Sequence, residues 1–171
     1  MAGGLALQRL TGRGKGVTIL LSLMRGRNPG RKGVRPLVTQ DDIETYLIEI
    51  GMPFEEVAEG IWRVDNEVDQ VPNIFVSYAP PLVLFRLKVM DLKQVPPELH
   101  LDLFRRLLEL NATGMALGAY ALDGDSVILT EALSVEDMNL GEFRASLESI
   151  SFAAKQHYRE LSPFLSAPAL A

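Results

Sequence analysis

The sequence predicts an α+β domain: an antiparallel sheet of about five strands with three helices, in the order α-β-β-β-α-β-β-α. Three observations carry this. Apolar residues recur at three- and four-residue spacing over Thr39–Gly51, then shift towards alternation between Phe54 and Met90. Leu107–Leu133 reads as a helix end followed by two apolar runs about Asp123-Gly124. Asp-Gly in that setting is a strong hairpin signal, because glycine accepts the positive φ that a tight turn demands. Regular strand-helix alternation, the mark of a doubly wound parallel sheet, is missing, and hairpins with helices mainly on one face make an α+β domain.

Each element has its own warrant. Thr39-Gln40-Asp41-Asp42 offers a hydroxyl cap and acidic groups where unpaired helix amides favour them, and Ile43, Tyr46, Leu47 and Ile50 follow at helical spacing until Gly51 and Pro53. This predicts a first helix over about 40–50. Phe54–Ala58 and Ile61–Val64, separated by Glu59-Gly60, read as a hairpin with Trp62 on one strand. Asn73–Ala79 and Leu82–Met90 alternate in character, and Pro80-Pro81, which cannot donate ladder bonds, belongs in the connection between them.

Pro96-Pro97 opens a second helix, where the missing amide does no harm. Its apolar positions Leu99, Leu103, Phe104, Leu107 and Leu108 are widened by Leu101 and Leu110 beyond what one sheet contact requires. Leu99, Leu101, Leu103 and Leu110 are therefore the candidate dimer contacts; the alternative is a single well-buried helix. The hairpin about 114–122 and 126–132 comes next. A last helix from near Leu140 carries Phe143, Leu147, Ile150, Ala154, His157 or Tyr158, and Leu161 inward, and Pro163 and Pro168 close it.

The net charge of -5 conceals a division within the 171 residues. Residues 1–36 hold eight cations and no acid; nine of the 17 cations remain against all 22 acids, leaving the rest at −13. Residues 1–38 also contain eight of the 14 glycines, a density that opposes packing and predicts a flexible basic extension ahead of a domain at 39–162 and an Ala/Pro tail at 163–171. Within the extension, Val17–Met24 is apolar, but a bilayer span needs about twenty residues. Three readings of it stand: a flexible extension or a start assigned too far upstream, with Met24 as the internal alternative; a basic arm touching anionic membrane or nucleic acid; or a short signal or transit sequence. An acidic body suits a phosphate backbone poorly, so nucleic acid or membrane contact is expected only through residues 1–36.

Familiar chemistry is missing from this chain. Without cysteine there is no disulfide, thiolate nucleophile or Cys-based zinc site, which fits a reducing cytoplasm, the location expected. A Walker loop ending at Gly14-Lys15 would need glycine at Arg9 and a hydroxyl residue at Gly16; a dinucleotide loop from Gly12 and Gly14 would need glycine at Val17. His100 and Asp102 lie two residues apart on one helix and point apart, and His157 is on another helix. Asp123 and Asp125 suit a turn, Glu55-Glu56 and Asp41-Asp42 suit solvated ends, and Ser22 and Ser126 sit in no nucleophile elbow. No enzyme, cofactor or metal is expected. The opposing reading is a small-ligand pocket, or an enzyme, in which Tyr46, Trp62, His100 or Glu55 converge.

The element order and the stretch Leu107–Leu161 resemble the YbjN family of bacterial sensory transduction regulators, whose fold is that of type III secretion chaperones of the CesT kind. The resemblance rests on Leu110-Asn111 closing the middle helix, the apolar run before Asp123-Gly124, Val127-Ile128-Leu129 after it, and Leu140 and Phe143 entering the last helix. It spans about 39–162. It implies a small acidic protein, often dimeric, that holds extended or amphipathic client segments against apolar grooves without nucleotide. No binding motif carries over. From alternation alone, the candidate protein-binding residues are Ile74, Tyr78, Leu82 and Leu84, which include apolar side chains assigned to the sheet's more polar face. The alternative there is a sheet covered by helix on both faces.

Overall fold

Reciprocal capping sets the first boundary. The Thr39 amide donates to the Asp42 carboxylate at 2.8 Å and the Asp42 amide to Thr39 Oγ1 at 3.3 Å, starting α1, Gln40–Ile50. Gly51, at φ 78°, ends it in the left-handed region that a Cβ disfavours. The structure is a computed structural model and describes residues 37–65, 71–136 and 138–165. Most of the basic extension expected over 1–38, and the tail beyond 165, lie outside the described residues.

After α1 come β1 (Phe54–Ala58), β2 (Ile61–Val64), β3 (Ile74–Ala79) and β4 (Leu82–Asp91). A 3-10 turn at Pro97–Leu99 leads into α2 (His100–Thr113), followed by β5 (Ala119–Asp123), β6 (Ser126–Ser134) and α3 (Leu140–Leu161). All strand pairs are antiparallel, in the sheet order β1-β2-β3-β4-β6-β5. The sheet has six strands among the described residues, one more than the expected order, because the hairpin about Glu59-Gly60 adds both its strands ahead of β3 and β4.

The register decides which residues share a face. Trp62, Val76, Phe85 and Glu131 lie in one row, and Val64, Ile74, Leu87, Leu129 and Tyr120 in the next. Helix contacts made by Trp62, Phe85, Tyr120 and Glu131 all fall on this side. Trp62 Nε1 donates to Glu44 of α1 at 3.2 Å. Phe143 of α3 lies with ring centroids 5.1 Å from Phe85 and 5.6 Å from Tyr46 of α1, so one side chain joins the sheet to two helices. The opposite face carries Arg63, Phe75, Arg86 and Thr130 in one row and Ile61, Ser77, Leu84 and Ala132 in another.

Two details of the C-terminal half differ from expectation. The second strand pair starts at Ala119 rather than near 114, because Gly114–Gly118 is a loop docked on α3: the Leu117 amide donates to Ser149 Oγ at 3.2 Å, and Gly118 takes φ 78°. The hairpin loop is Gly124-Asp125, since Asp123 still pairs with Ser126; Gly124, at φ 60°, takes the first loop position.

The Leu110-Asn111 pair also finds its physical reason. Leu110 is buried in the core, while the Asn111 carboxamide accepts the Tyr120 amide at 2.7 Å and donates to the Tyr120 carbonyl at 3.1 Å. It does for β5, an outer strand, what a further strand would do. Asn111→Ala leaves both backbone groups unpaired and is expected to cost about 1–3 kcal/mol, read as a lowered urea midpoint. Asn111→Asp keeps only an acceptor and should recover part of that loss; wild-type stability in the alanine variant would refute this role.

Candidate protein-binding surfaces

The residues singled out from sequence fall into two groups. Ile74 is completely buried, because its register with Val64 and Leu87 puts it beneath the helices. Leu82 is 2% exposed at the start of β4, beside the backbone bonds that tie Val38 to Val135 and Val135 to Pro81. Both belong to the interior, which corrects their place in the candidate surface. Tyr78 is half-buried on the helix side, and its hydroxyl donates to the Val38 carbonyl at 3.1 Å. Leu84 is half-buried on the opposite face, where diagonal pairing brings it beside Phe75, 40% exposed.

On α2 the wide apolar stripe divides in two. Leu103 and Leu110, with Leu107, point into the core, and Leu99 packs partly against it. These three positions of the dimer set, Leu99, Leu103 and Leu110, are thus core-facing. Leu101 is 77% exposed, and Leu108, two helical turns further on, is 68% exposed. Leu108 was not singled out as a contact residue, though its spacing of seven from Leu101 is the available signal. Phe152 of α3, also exposed, is a second apolar side chain that sequence reasoning placed nowhere.

Polar groups near the helices have structural partners. His157 is buried on α3, its Nδ1 2.9 Å from the Tyr120 hydroxyl. Burial lowers the imidazole pKa, with Glu160 opposing and Arg106 reinforcing the shift; burial also pushes the Tyr120 hydroxyl up. Nearby, Arg106 of α2 pairs with Glu109 and with Glu160 of α3, clasping the two helices. His100 Nε2 lies 3.0 Å from the Val95 carbonyl and 3.3 Å from that of Leu92, bracing the turn before α2.

The four residues of the pocket reading engage different neighbours: Tyr46 with Phe143, Trp62 with Glu44, His100 with the Val95 carbonyl, and Glu55 with Arg63. Among the described residues no group of three or more His, Cys, Asp or Glu side chains is placed to hold a metal ion. Nor is any helix among them long and apolar enough to cross a membrane. What this geometry offers a ligand is apolar surface: the Leu101–Leu108 ridge on α2 and the Phe75–Leu84 patch on the sheet.

The CesT_Tir_1 family profile matches residues 37–167, most of the chain and all of the α+β body. The chain belongs to the CesT_Tir_1 family. The likeness read from Leu107–Leu161 is upheld. Among solved structures, YbjN from E. coli is similar at 22% identity and a TM-score of 0.59, covering 77% of this chain and 100% of that chain. A chain of the heterodimeric ExoU–SpcU complex, from the type III secretion system of Pseudomonas aeruginosa, is similar at 19% identity and a TM-score of 0.53, covering 72% of this chain and 98% of its own. A chain of the ExsC–ExsE complex follows at 18% identity and a TM-score of 0.51, with coverage of 74% and 91%. At such identities the likeness is one of fold. A search of the curated proteins finds no match. This CesT_Tir_1 chain thus has the secretion-chaperone architecture, with the two apolar areas on separate parts of it.

Proposed function

We propose that this protein is a non-enzymatic, chaperone-like binding module that works as a dimer and holds a segment of a partner protein against apolar surface. The observation that carries the reading is the pair of exposed leucines, Leu101 and Leu108, two turns apart on the outer side of α2. A two-fold axis crossing the helix between them would set Leu101 of one copy against Leu108 of the other, a self-complementary contact. Family membership supports protein binding, as do the complexes in which the similar ExoU–SpcU and ExsC–ExsE chains occur. Phe75 and Leu84 on the opposite sheet face are the contacts assigned to the partner segment.

Mass in solution tests the dimer. Each buried leucine contributes about 1.5–3 kcal/mol, so Leu101→Glu combined with Leu108→Glu is expected to weaken self-association by on the order of 100-fold or more. Sedimentation equilibrium should then show a monomer where the wild type is a dimer, with unchanged circular dichroism. A monomeric wild type, or a variant that dimerises as well as the wild type, would remove this assignment. Partner capture tests the rest: Phe75→Glu with Leu84→Glu should lose a partner that the wild type retains, while the dimer persists.

A further inference from the structure

A single carboxyl group stands among the apolar residues between β6 and α3. Glu131 pairs with Phe85 in the sheet and points with it towards α3. There Ser146, fully buried, has its Oγ 2.8 Å from Glu131 Oε1 and 3.1 Å from the Glu142 carbonyl oxygen. Glu131 Oε2 is buried and has no hydrogen-bond partner. A serine hydroxyl carries one proton, so it cannot donate to both acceptors. If it serves Glu142, an ionised Glu131 faces Ser146 Oγ lone pair to lone pair. If it serves Glu131, the Glu142 carbonyl keeps its helical partner, the Ser146 amide, but an ionised Glu131 still leaves Oε2 buried without a donor.

One added proton resolves this. A carboxylic acid donates to Ser146 Oγ and the serine hydroxyl donates onward to the Glu142 carbonyl; Oε2 stays without a partner, but as a neutral oxygen it costs less to bury than one sharing a carboxylate's charge. We propose that Glu131 takes up a proton when the chain folds, and that this proton latches α3 to the sheet, making the seat of α3 loosen as pH rises.

The surroundings agree. Of the titratable side chains on the packed elements, Glu44 of α1 is taken up by Trp62, Tyr46 of α1 packs on Phe143, and His157 of α3 pairs with Tyr120 of β5. Glu142 is turned to Asn139, whose amide it accepts at 3.0 Å, and Arg144 is exposed. Arg86, next to Phe85, lies on the opposite face with Asp123. The Gly118 loop closes over the group, an added Cβ there falling 3.3 Å from Glu131 Cβ. Burial raises the carboxyl above its ordinary pKa, and the Ser146 contact pulls it back only in part.

The sign of the linkage follows. With the folded pKa above the unfolded one, the stabilising contribution is complete below the unfolded value and is lost as pH climbs through the folded value. Between the two, the folding equilibrium constant falls by up to about tenfold per pH unit. Carboxyl carbon NMR of the full chain across acid to alkaline pH is expected to show Glu131 titrating above the ordinary glutamate value of about 4.3. Glu131→Gln, which keeps a donor to Ser146 at all pH values, should gain stability over the wild type as pH rises. A Glu131 pKa at or below that value would overturn the proposal even if the variant failed to fold. A stability difference between variant and wild type that stays constant with pH would overturn it as well.

Discussion

Phe143→Ala is expected to remove about 3–5 kcal/mol of folding stability, a large share of the roughly 5–15 kcal/mol that a domain commonly has. Phe143 is fully buried and touches aromatic rings on two other elements, Tyr46 of α1 and Phe85 of β4. Truncation removes its transfer energy and leaves a cavity where three elements meet, so collapse of one element cannot fill it. Urea unfolding followed by circular dichroism gives the measurement. Phe143→Leu retains most of the volume and should cost about 1–2 kcal/mol. A loss below 1 kcal/mol for the alanine variant would show that α3 is not held through this ring.

The second large effect is expected at Gly118. Its φ of 78° already disfavours any side chain, and an added Cβ would fall 2.8 Å from the Thr130 carbonyl oxygen, a backbone atom held in the β5–β6 ladder. The left-handed penalty of about 1–2 kcal/mol and a steric term of similar size predict that Gly118→Ala costs about 2–4 kcal/mol. Gly124 in the same hairpin is the internal control. Its φ is 60° and an added Cβ meets nothing within 4 Å, so Gly124→Ala should show the conformational penalty alone, about 1–2 kcal/mol. Equal losses at the two sites would mean that the approach to Thr130 relaxes without strain.

How far the architecture could be read from sequence follows from the range of the interactions involved. Helix α1 was readable at both ends because its signals, Thr39 with Asp42 and Gly51, act within a few residues. The hairpin glycines Gly60 and Gly124 were readable for the same reason. The loop over 114–118 was not, since Met115, Ala116 and Leu117 look like strand and only Ser149, far along the chain, holds Leu117 elsewhere. On α3 Ala154 packs against the core as expected but Ala153 beside it is the more buried, and the inward residue of the next pair is His157 rather than Tyr158. Long-range packing makes that choice: an added Cβ at Gly114 would lie 2.8 Å from His157 Nε2, so a glycine makes room for the ring.

The binding surfaces were the least readable part. Alternation in β3 says that Ile74 and Tyr78 share a face, not which face the helices will cover, and that depends on contacts such as Glu44 with Trp62 and Phe143 with Phe85. On α2, apolar residues surround so much of the circumference that spacing could not separate Leu103, inside, from Leu101, outside. The two-turn interval from Leu101 to Leu108 was the usable clue.

The carboxamide of Asn111 also occupies part of one edge of the sheet. Copies that stacked the first strand of one upon the fifth of the next would extend without limit, which is how fibrils begin. At Tyr120 the incoming backbone would meet hydrogen-bonding positions already taken by Asn111. Edge-to-edge stacking of copies is thereby opposed at Tyr120 by one amide side chain.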